Sequence, residues 1–183
     1  MDGSYGRIEG DLLFTGTVGA TLGAGGAGFD THVALLYLST AGLYGRYVEA
    51  FGNDEAAFDR MGAVGVEIRP LFLGRYALDM QKGPAHLDLF LDSFAFVLGA
   101  TFVDPIGADL KPWPGLEFGL SIEVPLAPSG SGPYVGLLGL VRATDPDLTG
   151  RRDTDILEQG SQLVFTLSWH QNFDAGLVNL RDP

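Results

Sequence analysis

The sequence predicts an all-β fold, an antiparallel up-and-down barrel, and three observations carry that prediction. The first is strict alternation. In Ile8–Gly23 the even positions Ile8, Leu12, Phe14, Val18, Ala20 and Leu22 are apolar, whereas the odd positions include Glu9, Asp11, Thr15, Thr17 and Thr21. Alternate side chains of a strand point to opposite faces, so such a run has one greasy and one wet face. The second is punctuation: the alternating runs are separated by Gly- and Pro-rich turns rather than by the helices that parallel strands need. The third is composition. The chain holds 27 Gly, dispersed through the apparent strands, and only two lysines, Lys82 and Lys111, both in turns. Glycines inside strands mark bends and close backbone approach, and a sheet face in water normally carries more lysine.

The totals bound the rest. At 183 residues the chain reads as a single domain, 1–183, with 1–6 and 172–183 as loose termini. A formal charge of −12 argues against a nucleic-acid partner, which needs Lys and Arg gathered on one face. With no cysteine, disulfides and thiolate metal sites are excluded. No run of about 20 apolar residues could form a transmembrane helix. Met1-Asp2-Gly3-Ser4 has neither the basic start nor the apolar stretch of a signal peptide, so an exported form presumes that the signal has been removed.

Taken in order, the opening strand runs over Ile8–Gly23. It ends in Gly23-Ala24-Gly25-Gly26-Ala27-Gly28, which matches G-x-G-x-x-G with Glu49 downstream. A dinucleotide site needs a buried parallel strand before that loop and a helix after it. Here the strand alternates, and the segment that follows is rich in aromatics and broken by Gly42 and Gly45, so the glycines read as a turn. Thr31–Phe51 is one long strand or two short ones broken near Ser39–Gly42. Val33, Leu35, Tyr37, Ala41, Leu43 and Tyr47 lie on one face, and His32, Leu36, Thr40, Tyr44 and Arg46 on the other. Phe58–Met80 reads as a second long strand, with Asp59, Glu67, Arg69, Arg75 and Asp79 on its wet face. Pro70 implies an edge, a bulge or a break. A short helix fits 85–92, followed by a strand over 93–103. After a Pro-rich loop, Gly115–Leu126, Tyr134–Ala143 and Ile156–His170 complete seven clear strands. An eighth comes from splitting Thr31–Phe51 or from the tail around Gly176–Leu180.

Alternation leaves open which face points inward. Two magnitudes favour an apolar face turned out to lipid, a transmembrane barrel. A lipid-facing Arg or Lys near the midplane costs about 2–4 kcal/mol, and Ile8–Leu22, Gly62–Met80 and Leu116–Leu126 carry no charge on their apolar faces. Crossing a bilayer takes about 9–11 tilted strand residues, which these runs meet or exceed. Over roughly residues 7–170 the pattern resembles the small bacterial outer-membrane β-barrel proteins of the eight-stranded class. The resemblance implies an even number of strands, about eight, and a place in the outer membrane of a Gram-negative envelope. It also implies lipid as the partner, with contact to other envelope proteins through loops, and interfacial girdles drawn from Tyr44, Tyr47, Tyr76, Trp113, Tyr134 and Trp169. Such barrels often end in an aromatic residue. This chain ends Arg181-Asp182-Pro183, a departure that bears on the closing strand.

Candidate chemistry is sparse. Glu9, Asp11, Glu67, Arg69, Arg75, Glu117 and Glu123 fall on wet faces and read as a polar network filling the lumen. In a barrel of eight strands the interior is just wide enough for side chains, which favours a plug over a pore. Ser168 and His170, two apart on one strand, share a face with those acids. Some small outer-membrane barrels are lipid-modifying enzymes, so this pair is the catalytic candidate of a barrel-embedded lipid hydrolase, although no family motif accompanies it. Asp145, Asp147 and Thr149 with Gly150 imitate the start of a calcium loop, but Ile156 stands where the bidentate Glu belongs. Asp145, Asp147, Asp153 and Asp155 could hold an ion weakly. The histidines show no metal-ligand spacing, and no motif calls for a cofactor. A soluble barrel or sandwich binding an apolar ligand is the competing reading.

Overall fold

The computed structural model describes residues 10–23, 26–51, 60–78, 80, 82–104, 113–144 and 160–177. Eight strands close an antiparallel barrel in sequence order. They are β1 (Leu12–Gly23), β2 (Gly28–Tyr37), β3 (Ala41–Ala50), β4 (Arg60–Ile68), β5 (Ala95–Asp104), β6 (Trp113–Pro125), β7 (Gly132–Thr144) and β8 (Ser161–Phe173), with helices α1 (Pro70–Ala77) and α2 (Ala85–Asp92) between β4 and β5. Closure is made by β1 against β8, from Leu12 beside Phe173 to Gly23 beside Gln162. No sheet edge is left open among these strands, which removes the usual route to edge-to-edge aggregation.

The eighth strand comes from the split of Thr31–Phe51. Leu38 (φ 48°) and Ser39 (φ 53°) both take left-handed conformations, and Thr40 N–H donates to the Tyr37 carbonyl at 3.0 Å. The connection is the three residues Leu38–Thr40, and the left-handed pair at its start has the twist that suits a tight hairpin. The glycine-rich stretch also joins two antiparallel strands. Gly23 ends β1, Gly28 begins β2, and Gly26 has φ 79° with its N–H on the Gly23 carbonyl. No helix follows it, so the glycine pattern has no dinucleotide geometry.

Phe58–Met80 is not a single strand. β4 ends at Ile68, and Pro70 opens α1. Proline is at home in the first turn of a helix, where its missing N–H has no intrahelical partner. Arg75 is consequently no lumen residue: it lies on α1 and binds Asp88 and Asp92 of α2. The helix expected near 85–92 is present as α2. Of the tail, residues 172–177 are described. Asn172 and Phe173 belong to β8, and the N–H groups of Ala175 and Leu177 donate to the Asp11 carboxylate, the former at 2.7 Å. Glu9, residues 1–6 and the acidic residues Asp145, Asp147, Asp153 and Asp155 lie outside the described residues.

The wall is apolar outside. Phe14, Val18, Val33, Leu35, Val66, Leu98, Phe118, Phe165 and Leu167 are all exposed, with Leu43 at 70% and Val64 at 58%. Among the described side chains, the charged residues at outward strand positions, Glu49 and Arg60, stand together at one rim. The aromatic girdles differ from expectation. Tyr47 and Trp169 face out, but Tyr44 and Tyr134 are buried in the lumen because their parity is that of Arg46 and Arg142. Tyr37 and Phe173 line the terminus end outside, and Phe29 and Phe102 the opposite end. The side chains of Tyr76 and Trp113 lie outside the description.

Candidate functional site

The inward positions build the lumen, and its filling is mixed rather than uniformly polar. Leu13, Ala34, Leu36, Ala63, Val97, Leu138, Leu140 and Val164 form an apolar layer with Tyr44. Leu13 sits on the wet face of β1, so the alternation of polarity is weaker inside the barrel than outside it.

Two charged clusters are set into this layer. Toward the terminus end, Arg69 Nε donates to Glu67 Oε1 at 2.9 Å, and His32 Nε2 lies 3.2 Å from Glu67 Oε2. Glu123 Oε2 lies 2.9 Å from His170 Nε2 and 3.7 Å from Arg69, while Ser168 Oγ donates to Glu123 Oε1. Toward the other end, Arg46 is the hub. Its Nε donates to Asp30 Oδ2 at 2.7 Å, Nη1 to Glu117 Oε2 at 3.0 Å and Nη2 to Gln162 Oε1 at 2.8 Å. Tyr44 Oη donates to Glu117 Oε1 at 2.8 Å, and Arg142 Nη2 donates to Gln162 Oε1 at 3.0 Å. The Tyr44 ring stacks on His32 with centroids 5.1 Å apart, which joins the two clusters. The side chains of Arg46, Asp30 and Glu117 are all at 0% exposure. Charges so placed are held by pairing and hydrogen bonds, since each alone would be costly to desolvate.

Of the residues the sequence singled out, Glu67, Arg69, Glu117 and Glu123 are brought into the lumen. Asp11 is buried where the tail folds back, and Arg75 stands apart on α1. The sequence reading missed Asp30, Arg142, Gln162 and the hub Arg46 as members of the network. A signal was present: all four have inward parity, and listing every charged or amide residue on the wet face of each strand would have found them.

Inward glycines make the space. A Cβ at Gly99 would strike the Tyr44 hydroxyl and stand 2.8 Å from the Val64 carbonyl oxygen. Gly99→Ala is therefore expected to push Tyr44 off Glu117 and cost about 1–3 kcal/mol, the usual range for overpacking. Equilibrium unfolding in detergent micelles measures this, and Tyr44→Phe in the same background should recover part of the loss.

The arrangement is poor for catalysis. Ser168 and His170 both turn to one carboxylate, Glu123, instead of forming the serine-to-histidine-to-acid chain that activates a nucleophile. Both are buried, and His170 is further packed under Tyr134, ring centroids 3.9 Å apart. The cavity beside them, lined by Thr15, His32, Glu67, Arg69 and Glu123 among others, measures about 30 Å³, room for one or two waters and no acyl chain. Among the described residues no group of three His, Cys, Asp or Glu could hold a metal ion, and no helix is long and apolar enough to cross a membrane.

Among solved structures, the chain is similar to that of Neisserial surface protein A, with 11% identity over 88% of this chain and 96% of that one and a TM-score of 0.42. No protein-family model matches the chain. No curated protein matches it.

Proposed function

We propose that the chain is a small outer-membrane barrel of a Gram-negative envelope, with a structural or interaction role and a lumen closed to solutes. The observation that carries this reading is the inverted distribution of polarity. Large apolar side chains occupy the outer wall, while Arg46, Glu117, Asp30, Glu67 and Arg69 are inside. A barrel in water would gain roughly 25 cal/mol for every Å² of that outer apolar surface it hid, and this one hides charges instead. In lipid the same distribution is the favourable one, because the outer wall needs no water and the inner charges pair with each other.

The closed lumen supports a role other than conduction. Paired charges and an apolar layer fill it, and the cavity beside Arg69 holds a water or two. The same filling weighs against a soluble barrel with an apolar ligand inside, and the shared carboxylate of Ser168 and His170 weighs against a hydrolase. Contact with other envelope components then falls to the connections. At the end opposite the termini the longest connection in sequence is the one between Thr144 of β7 and Ser161 of β8.

Purification tests the reading. The protein is expected to stay monodisperse only in detergent or lipid, to migrate faster unheated than boiled, and to give no conductance steps in planar bilayers. A monodisperse sample in plain buffer overturns the membrane reading, and stepwise conductance overturns the closed lumen.

A further inference from the structure

We infer that α1 is a membrane-interface anchor whose apolar face lies in the headgroup–acyl boundary at the terminus end of the barrel, an inference that rests on the membrane reading above. The helix pair is inverted in the same sense as the barrel. Around α1, Pro70, Leu71, Leu73, Gly74 and Ala77 are exposed, whereas Phe72 is buried and Arg75 is largely covered. At 100° per residue the exposed positions share one broad face, and Leu78, 71% exposed, extends it just past the helix end. That face has no polar side chain. A helix in water shows the reverse.

Arg75, Asp88 and Asp92 are folded inward, whereas Lys82 and His86 are exposed. Arg75 Nη1 donates to Asp92 Oδ1 at 2.7 Å and to the Asp88 carbonyl at 3.0 Å, and Nη2 pairs with the Asp88 carboxylate. Asp88 and Asp92, four residues apart on α2, are both buried, and Asp88 Oδ2 also accepts from the Gly83 N–H at 2.9 Å. Meanwhile Leu87 on α2 is exposed. The pair therefore holds Arg75, Asp88 and Asp92 within it, buries Phe72 and Leu89, and leaves Leu71, Leu73 and Leu87 outside.

Lipid, rather than protein, is the occupant this surface fits. α1 begins two residues after Ile68, the last outward side chain of β4, so the apolar wall of Val64, Val66 and Ile68 runs on in sequence into Leu71 and Leu73. One face of an eight-residue helix falls well short of the ~1,000 Å² that a stable protein interface buries. A short apolar helix face attached to a lipid-facing wall has the shape and chemistry of an interfacial element.

The absence of cysteine makes the test direct. Leu73→Cys and Leu78→Cys on α1, and Leu43→Cys on the barrel wall, are each labelled with a small fluorophore in the full chain reconstituted into phosphatidylcholine vesicles. Quenching is then read with nitroxide-bearing phosphatidylcholine and, separately, with aqueous iodide. Lipid quenching and iodide shielding at all three positions is the expected result. Lipid quenching at Leu43→Cys with iodide quenching at both α1 sites overturns the anchor and leaves the barrel in the membrane. Shielding of the α1 sites from both quenchers means that protein covers the face, which also overturns it. Loss of lipid quenching at Leu43→Cys refutes the membrane reading, and the anchor with it.

Discussion

Arg46→Met is expected to destabilise the barrel by about 3–5 kcal/mol, the cost of leaving buried charges without their partner. The guanidinium touches Asp30, Glu117 and Gln162 together, from a side chain with no exposed surface. Without it, Glu117 keeps the Tyr44 hydroxyl among these bonds, and Asp30 loses the guanidinium it is bonded to. Methionine fills much of the volume, so the loss reports charge more than cavity. Urea unfolding of the protein in micelles or vesicles, followed by fluorescence of its two tryptophans, measures it. Neutralising the stranded acids in the same chain, with Asp30→Asn and Glu117→Gln, should return a good part of the stability, because removing both sides of a buried pair is far cheaper than removing one. A loss below 1 kcal/mol for Arg46→Met alone would mean that water reaches this cluster and that the lumen is not a sealed plug.

Much of this architecture is legible in the chain because alternation is a backbone property. The faces assigned to Val33, Leu35 and Leu43 against His32, Leu36, Tyr44 and Arg46 follow from parity alone, and the structure places them on those faces. Parity does not carry a direction. A greasy face suits a protein core or a lipid tail equally, and only closure of the sheet around Arg46 and Glu117 decides that Leu12 and Phe14 point outward. Parity also fails where the conformation changes without a change of composition. Leu71, Phe72 and Leu73 are apolar at every phase, so a helix there leaves the alternating count from Val64 to Tyr76 undisturbed, and Arg75 is carried onto the wrong face. Pro70 was the one local mark of the switch. The network itself was half visible. Glu67, Arg69, Glu117 and Glu123 are obvious charges on clean strands, whereas Asp30 stands just past a glycine turn, and Arg46 and Arg142 sit among tyrosine and leucine.

Val64→Arg is expected to cost about 2–4 kcal/mol if the outer wall faces lipid, the range for a cation near the bilayer midplane. The position isolates solvent from sterics. Val64 is midway along β4, points outward and is 58% exposed, and its register neighbours on the two sides are Gly45 and Ala100. The residues directly beside it are small and the bulky Tyr47 and Phe102 lie diagonal to it across a shallow pocket, so packing against the wall is a minor part of its cost. The same substitution on a barrel in water would change stability by no more than about 0.5 kcal/mol, as surface changes usually do. The outward charges already present agree with the first case: Glu49 and Arg60 form a 3.7 Å pair at the rim, where water and headgroups are available. Moving the arginine along β4 toward that rim, by Gly62→Arg, should therefore cost less than Val64→Arg, since the penalty falls to about 0–1 kcal/mol near the interface. Gly62 has open space above it, so it too accepts a side chain without a clash. A cost that declines from Val64 to Gly62 is a depth profile, which only a membrane imposes; equal and small costs at both positions would place the wall in water.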